Sequence, residues 1–315
     1  MSLLFAVTSL PVQAEDSRVF IHPGRETFVY FPSVSLGSAY TVTFFLPEDH
    51  VPLSRNYPVV VALGVTPKQA KEAAALTRRG PAIVVGINFE EKDYVQRAAQ
   101  IQKFLSQELL PYIDSNYWTL AAPQHRILAA NGKSAVRVAL RVAQNPSLYG
   151  ALALFSPADV WEDAPVPAVR TLVNGTQAEL AVAQQFFEKN GKTYGVDFAL
   201  RYGTPTDTWF NEIDTAYLWA PAQAVSLKRL EAALTKKVLP LDKTEKVFLR
   251  AWAVLENDSF FHYIPSQLRV SPPYVLWDPL TGSLNALPGA QPGKVRLSNF
   301  VDNPAFSIKL ELKKQ

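Results

Sequence analysis

The residue best placed by type and spacing to do chemistry is Ser134, in Asn131-Gly132-Lys133-Ser134-Ala135-Val136-Arg137. A short apolar run, Arg126-Ile127-Leu128-Ala129-Ala130, leads into it, and Val138-Ala139-Leu140-Arg141-Val142-Ala143 follows. That order reads as strand, sharp turn, helix. A serine in such a turn, with glycine two residues before it, matches the front half of the nucleophile-elbow pattern G-x-S-x-G, which lifts the serine oxygen above a parallel sheet. The back half departs from it, because Val136 stands where the second glycine belongs. A side chain there crowds the adjoining strand and helix, so valine makes the bend costlier or shallower. Gly132-Lys133-Ser134 also ends like a phosphate-binding loop, but Ile127 occupies the place of that motif's first glycine.

A serine hydroxyl becomes a useful nucleophile beside a base that titrates near neutrality. The chain offers four histidines. His22, His50 and His125 sit among loop or strand-end residues and read as solvated or capping groups. His262, in Phe260-Phe261-His262-Tyr263, reads either as a base reaching over the turn from the C-terminal region or as a half-buried member of an aromatic cluster. No two histidines share a turn or strand, so no metal site is expected, and no cofactor is implied. Lys133 and Arg137 flank Ser134; they either create a positive potential there or are solvated charges on a helix's first turn. Trp161, Trp209 and Trp219 fall in loops, where they either ring a pocket mouth and grip a sugar or aromatic ligand, or pack on the body.

The elements that must position these residues alternate. Thr27–Phe31 and Tyr40–Phe45 are strand-like, punctuated by Pro23-Gly24 and Leu36-Gly37, and with Val19-Phe20-Ile21 they read as an antiparallel edge. Pro58–Leu63 is a continuous apolar run of the kind buried on both faces, followed by a helical stretch from Lys68 to Arg79. Ala82–Ile87 is a strand, and Lys92 to Ile113 a long helix with Ile101, Phe104, Leu105, Leu109, Leu110 and Ile113 on one face. After the Ser134 strand and helix come strands at Ala151–Phe155, Arg170–Val173 and Val196–Tyr202, with helices at Glu179–Lys189 and Pro221–Lys236. This alternation predicts an α/β, doubly wound, mostly parallel sheet. From Lys243 to Gln315 prolines, glycines and extended runs dominate, predicting a β-rich C-terminal extension.

Composition agrees with a globular protein: 315 residues, 48% hydrophobic, and a net charge of only +3 with basic residues dispersed. A nucleic-acid groove is not expected, nor a membrane span. There is no cysteine, which excludes a disulfide framework and thiolate metal sites. Leu3–Leu10 is apolar and Val12-Gln13-Ala14 resembles the small-residue cleavage site of a secretory signal, although a basic leading segment is missing. The expected organisation is a signal remnant at 1–14, an α/β domain at 15–240 and the extension at 241–315, in a soluble protein of the periplasm or secreted.

Phe104-Leu105-Ser106-Gln107-Glu108-Leu109-Leu110-Pro111-Tyr112-Ile113, with Arg126–Leu140 and with Tyr149-Gly150-Ala151-Leu152-Ala153-Leu154-Phe155-Ser156-Pro157, resembles the putative-esterase family of α/β-hydrolases. Esterase D, the enterochelin esterases, the feruloyl esterases and the mycolyltransferases are among its members. The resemblance spans roughly Val19 to Leu234. It implies an α/β-hydrolase-like fold with Ser134 as nucleophile, and an oxyanion hole built from the backbone N–H of Ala135 and one from Gly64 or Val65. It implies the acid at Glu179, whose other reading is a carboxylate favoured by the helix dipole. Where the family carries its histidine, this chain has Asp207 before Trp209, or Asp214 ahead of Trp219. The expectation is a degraded triad on a scaffold that binds a small ester, a saccharide, or a protein partner through the extension. The alternative is a working serine esterase or acyltransferase in which Glu179 orients His262 toward Ser134.

Overall fold

The computed structural model describes residues 26–47, 50, 56–65, 82–203, 213–220, 227–241, 246–265, 268–299 and 306–314. The segments read as Val19–Ile21, Lys68–Arg79 and the stretch containing Asp207 and Trp209 lie outside these.

Eight strands form the main sheet: β1 (Glu26–Ser33), β2 (Ser38–Phe45), β3 (Val59–Leu63), β4 (Ile83–Ile87), β5 (Arg126–Asn131), β6 (Ala151–Phe155), β7 (Arg170–Gly175) and β8 (Phe198–Tyr202). Their order is β1-β2-β4-β3-β5-β6-β7-β8. The β1–β2 and β2–β4 pairs are antiparallel and all others are parallel, as the sequence pattern implied. Every residue of β3 is fully buried, which is why it reads as an unbroken apolar run with no alternation. Strand order reverses between β3 and β5. In open sheets of this kind, ligands gather outside the carboxyl ends of the strands at that switch point.

Six helices are described: α1 (Glu91–Gln96), α2 (Ala98–Lys103), α3 (Leu110–Asn116), α4 (Lys133–Val142), α5 (Gln177–Lys189) and α6 (Thr215–Leu218). The single long helix expected from Lys92 to Ile113 is therefore broken. Arg97 leaves helical geometry between α1 and α2, and a widened turn, Phe104–Leu109, separates α2 from α3. There the Leu110 N–H reaches back five residues to the Leu105 carbonyl. Pro111 is the physical reason we assign: it has no N–H to donate, and its ring needs room against the preceding turn. The apolar face survives the interruption, since Ile101, Phe104, Leu105, Leu109, Leu110 and Ile113 are all buried.

Among the described residues the C-terminal part has only β in its regular structure, with β9 (Leu227–Leu234), β10 (Val238–Pro240), β11 (Val247–Leu255), β12 (Phe260–Tyr263), β13 (Leu268–Ser271), β14 (Val275–Asp278), β15 (Ser283–Ala286), β16 (Gly293–Asn299) and β17 (Ser307–Lys313). One sheet runs β10-β17-β16-β13; in the other β11 joins β12, β15 and β9. The helix expected over Pro221–Lys236 is corrected here. Leu-Lys-Arg-Leu-Glu-Ala-Ala-Leu favours helix locally, but β9 pairs along its length with the strongly alternating β11, and that long-range ladder overrides propensity. The β-rich region is tied to the main sheet by Gln184 of α5, which accepts the Ile264 N–H at 3.0 Å, and by the Tyr194 hydroxyl, which donates to the His262 carbonyl at 2.7 Å.

Candidate active site

Ser134 stands beyond the carboxyl end of β5, beside the switch point, but not in the strained corner of an elbow. The bend is taken by Gly132, whose φ of 88° is open to glycine and costly for other residues. Helix α4 begins at Lys133, so Ser134 is its second residue. Among the described non-glycine residues only Ser156, Ala158 and Asp258 have left-handed φ. With the bend completed before Ser134, the second glycine of the motif is not needed. Val136 is fully buried there and donates its N–H to the Gly132 carbonyl at 2.9 Å. Valine thus goes with a shallower turn.

The Ser134 hydroxyl donates to Oε1 of Glu91, the first residue of α1, which follows β4. Ser134 is itself buried and Glu91 exposed. Tyr94, Val95, Ala98, Arg137 and Arg141 line, with Ser134, a cavity of about 240 Å³. The Ala135 N–H lies in the first turn of α4, ahead of the first residue whose N–H the helix ladder satisfies, so its geometry suits an oxyanion donor. The second half of the expected oxyanion hole is not offered. The backbone N–H groups of Gly64 and Val65 both donate to the Ile87 carbonyl, at 3.0 and 3.3 Å.

His262 is elsewhere. It lies on β12, which packs against β8, three strand spacings from β5, or about 14 Å across the sheet. Its Nε2 is 2.9 Å from Oε1 of Gln177, at the start of α5. Burial, helped by the nearby Arg250 charge, lowers its pKa to about 4. Ser134 and His262 line different cavities. The structure does not bring them together.

A family model described as Putative esterase matches residues 33–237, about two thirds of the chain. The chain belongs to the Putative esterase family. Its fold is accordingly α/β-hydrolase-like, with added β-rich C-terminal sheets. Solved structures similar to it include an uncharacterised protein from Capnocytophaga ochracea, 18% identical with a TM-score of 0.45, each chain covered over 62% of its length. An enterobactin esterase from Shigella flexneri is 15% identical, with a TM-score of 0.47, over 63% of this chain and 62% of that one. A ferulic acid esterase from Anaeromyces mucronatus is 13% identical, with a TM-score of 0.47, over 62% of this chain and 92% of that one. A comparison with curated proteins finds no match.

The remaining residues expected at the family's site have other partners. Glu179 completes a capping box on α5: its Oε2 accepts from the Thr176 N–H at 2.7 Å and the Thr176 hydroxyl at 2.8 Å, and its Oε1 accepts from the Ala158 N–H at 3.0 Å. It holds the loop after β6, where Ser156 and Ala158 carry left-handed backbone. Asp214 caps α6, accepting the Tyr217 N–H at 2.8 Å, and pairs with Arg201 at 2.7 Å. Lys133 pairs with Asp159 at 2.6 Å, and that hydrogen bond holds the Asp159 carboxyl below the usual carboxylate range. Trp161 is buried against Phe186 and Phe187, a core residue rather than a pocket rim. Trp219 is half-buried against the core.

Sequence reasoning missed Glu91. Its one signal was position: it opens the helix after β4, and the carboxyl ends of β3, β4 and β5 converge at the switch point.

Proposed function

We propose that this chain is an exported member of the family in which serine-esterase chemistry is impaired and the scaffold serves to bind a ligand or partner. The observation that carries the reading is the Ser134–Glu91 hydrogen bond. A serine esterase needs its hydroxyl proton taken by a group that is a competent base near neutral pH, and imidazole is the side chain suited to that work. Here the hydroxyl points at a carboxylate. The unstrained placement of Ser134 and the committed N–H groups of Gly64 and Val65 support the same reading. Export rests on the N-terminal apolar run and the Val12-Gln13-Ala14 site.

The alternative, an esterase or acyltransferase using Ser134, Glu179 and His262, would need β12 to release the Gln177 bond and carry the imidazole across β6 and β7. The test is hydrolysis of short-chain p-nitrophenyl and acetylated-sugar esters by the wild-type, Ser134→Ala and His262→Ala proteins. No Ser134-dependent turnover is expected. Turnover abolished by both substitutions would establish the alternative.

A further inference from the structure

A second cavity, of about 520 Å³, opens between the β8 edge of the main sheet and the face of the β11–β12 sheet. The period of two in β11 puts Phe248, Arg250 and Trp252 on one face, and the register sets His262 of β12 opposite Trp252, with Phe260 two residues before it on the same face. Tyr202 at the end of β8 and Gln177 at the start of α5 close the other side. We propose that this cleft binds an acidic pyranose: a sugar unit bearing a carboxylate, as in a uronate.

Three features carry the inference. The first is exposed aromatic surface gathered around one opening: Tyr202 is 58% exposed, Phe260 52% and Phe248 39%. Such a grouping marks a binding surface, and the negative faces of aromatic rings attract the C–H faces of a pyranose. Next comes a surplus positive charge. Arg201 is paired with Asp214 at 2.7 Å, and Glu231, opposite Trp252 on β9, is taken by Arg229 at 2.8 Å. Arg250, exposed at the same opening, pairs with no carboxylate of the described residues. Its planar fork suits a bidentate carboxylate. Finally, Gln177 and His262, joined at 2.9 Å, and Thr281, which donates to Asp278 at 2.6 Å, line the cavity with polar groups whose remaining donor and acceptor capacity suits sugar hydroxyls. The cavity volume falls in the range of small-ligand sites.

This names a ligand class for the binding role proposed above and rests on that reading, yet the two can fail separately. Ester turnover reports on Ser134; binding here is measured directly. The full chain is titrated with trigalacturonate, the matching neutral trigalactoside and benzoate, followed by tryptophan fluorescence and by saturation-transfer NMR. Saturable binding of the acidic sugar is expected, about tenfold tighter than the neutral one. Arg250→Ala should bring the two sugars to parity, and Phe260→Ala should weaken both. Both side chains are exposed, so the variants should unfold at the wild-type temperature. The proposal is overturned by absence of saturable sugar binding, by affinities unchanged in both variants, or by benzoate binding more tightly than the acidic sugar.

Discussion

The Ser134 hydroxyl of this chain donates its hydrogen bond to the Glu91 carboxylate, across the gap between the helix that follows β5 and the helix that follows β4. The contact joins a buried donor to an exposed acceptor, so its worth is that of a partly solvated hydrogen bond. A double-mutant cycle of Ser134→Ala and Glu91→Ala, read by urea unfolding, should give a coupling energy of about 0.5–1 kcal/mol. Additive single effects would show that the pair does not interact in solution.

Glu179 has a structural job that makes a separate expectation. Removing it frees the Thr176 N–H and the Ala158 N–H together and loosens the loop after β6. Glu179→Ala should destabilise the fold by about 1–2 kcal/mol, and Thr176→Ala by about 1 kcal/mol. Neither should alter ester turnover, measured in the same preparations. Loss of a Ser134-dependent activity on Glu179→Gln, with stability unchanged, would restore the catalytic reading.

Much of the fold was legible because its signals are local or strongly periodic. Val59–Leu63 announced a doubly covered parallel strand, and Glu179–Lys189 a helix, by patterns that burial alone enforces. The β9 strand was not, since its partner β11 lies some twenty residues away and the local composition favours helix. The site divided in the same way. Gly132, Ser134 and Val136 lie within five consecutive positions, so the valine in place of the motif's second glycine could be read directly from the sequence. Glu91 and Ser134 are 43 positions apart, and only the strand order β4-β3-β5 brings their helices together. The cleft was not legible at all: the extended character of the C-terminal region gave no sign that Phe248, Arg250 and Trp252 face Tyr202 and Gln177, which lie on β8 and α5.

His262 should leave a mark on stability against pH. In the folded chain burial keeps its pKa at about 4, below its ordinary value of 6.5. Between these values the unfolded chain binds the extra proton, so the stabilisation is complete above about pH 6.5 and is lost as pH falls through 4. The loss should reach up to about 3 kcal/mol. His262→Gln should flatten the acid limb of a plot of unfolding free energy against pH by as much as one proton. An unchanged slope would place the imidazole in solvent.

Gly64 tests the packing at the switch point. Its φ is 79°, and a Cβ there would come within 2.6 Å of the Asn131 carbonyl oxygen. Gly64→Ala should therefore cost about 2 kcal/mol or more by chemical unfolding, because backbone on the neighbouring strand must move. A near-neutral substitution would mean that β3 and β5 part more readily beyond their carboxyl ends than the register implies.

The most direct measurement of the central claim is covalent labelling of Ser134 by a fluorophosphonate, followed by intact-protein mass spectrometry at neutral pH. With Glu91 as its partner and no imidazole of the described residues seen to contact it, the serine should remain unlabelled over hours, indistinguishable from Ser134→Ala. A stoichiometric adduct that disappears in Ser134→Ala and in His262→Ala would contradict the account and make this chain a working serine esterase.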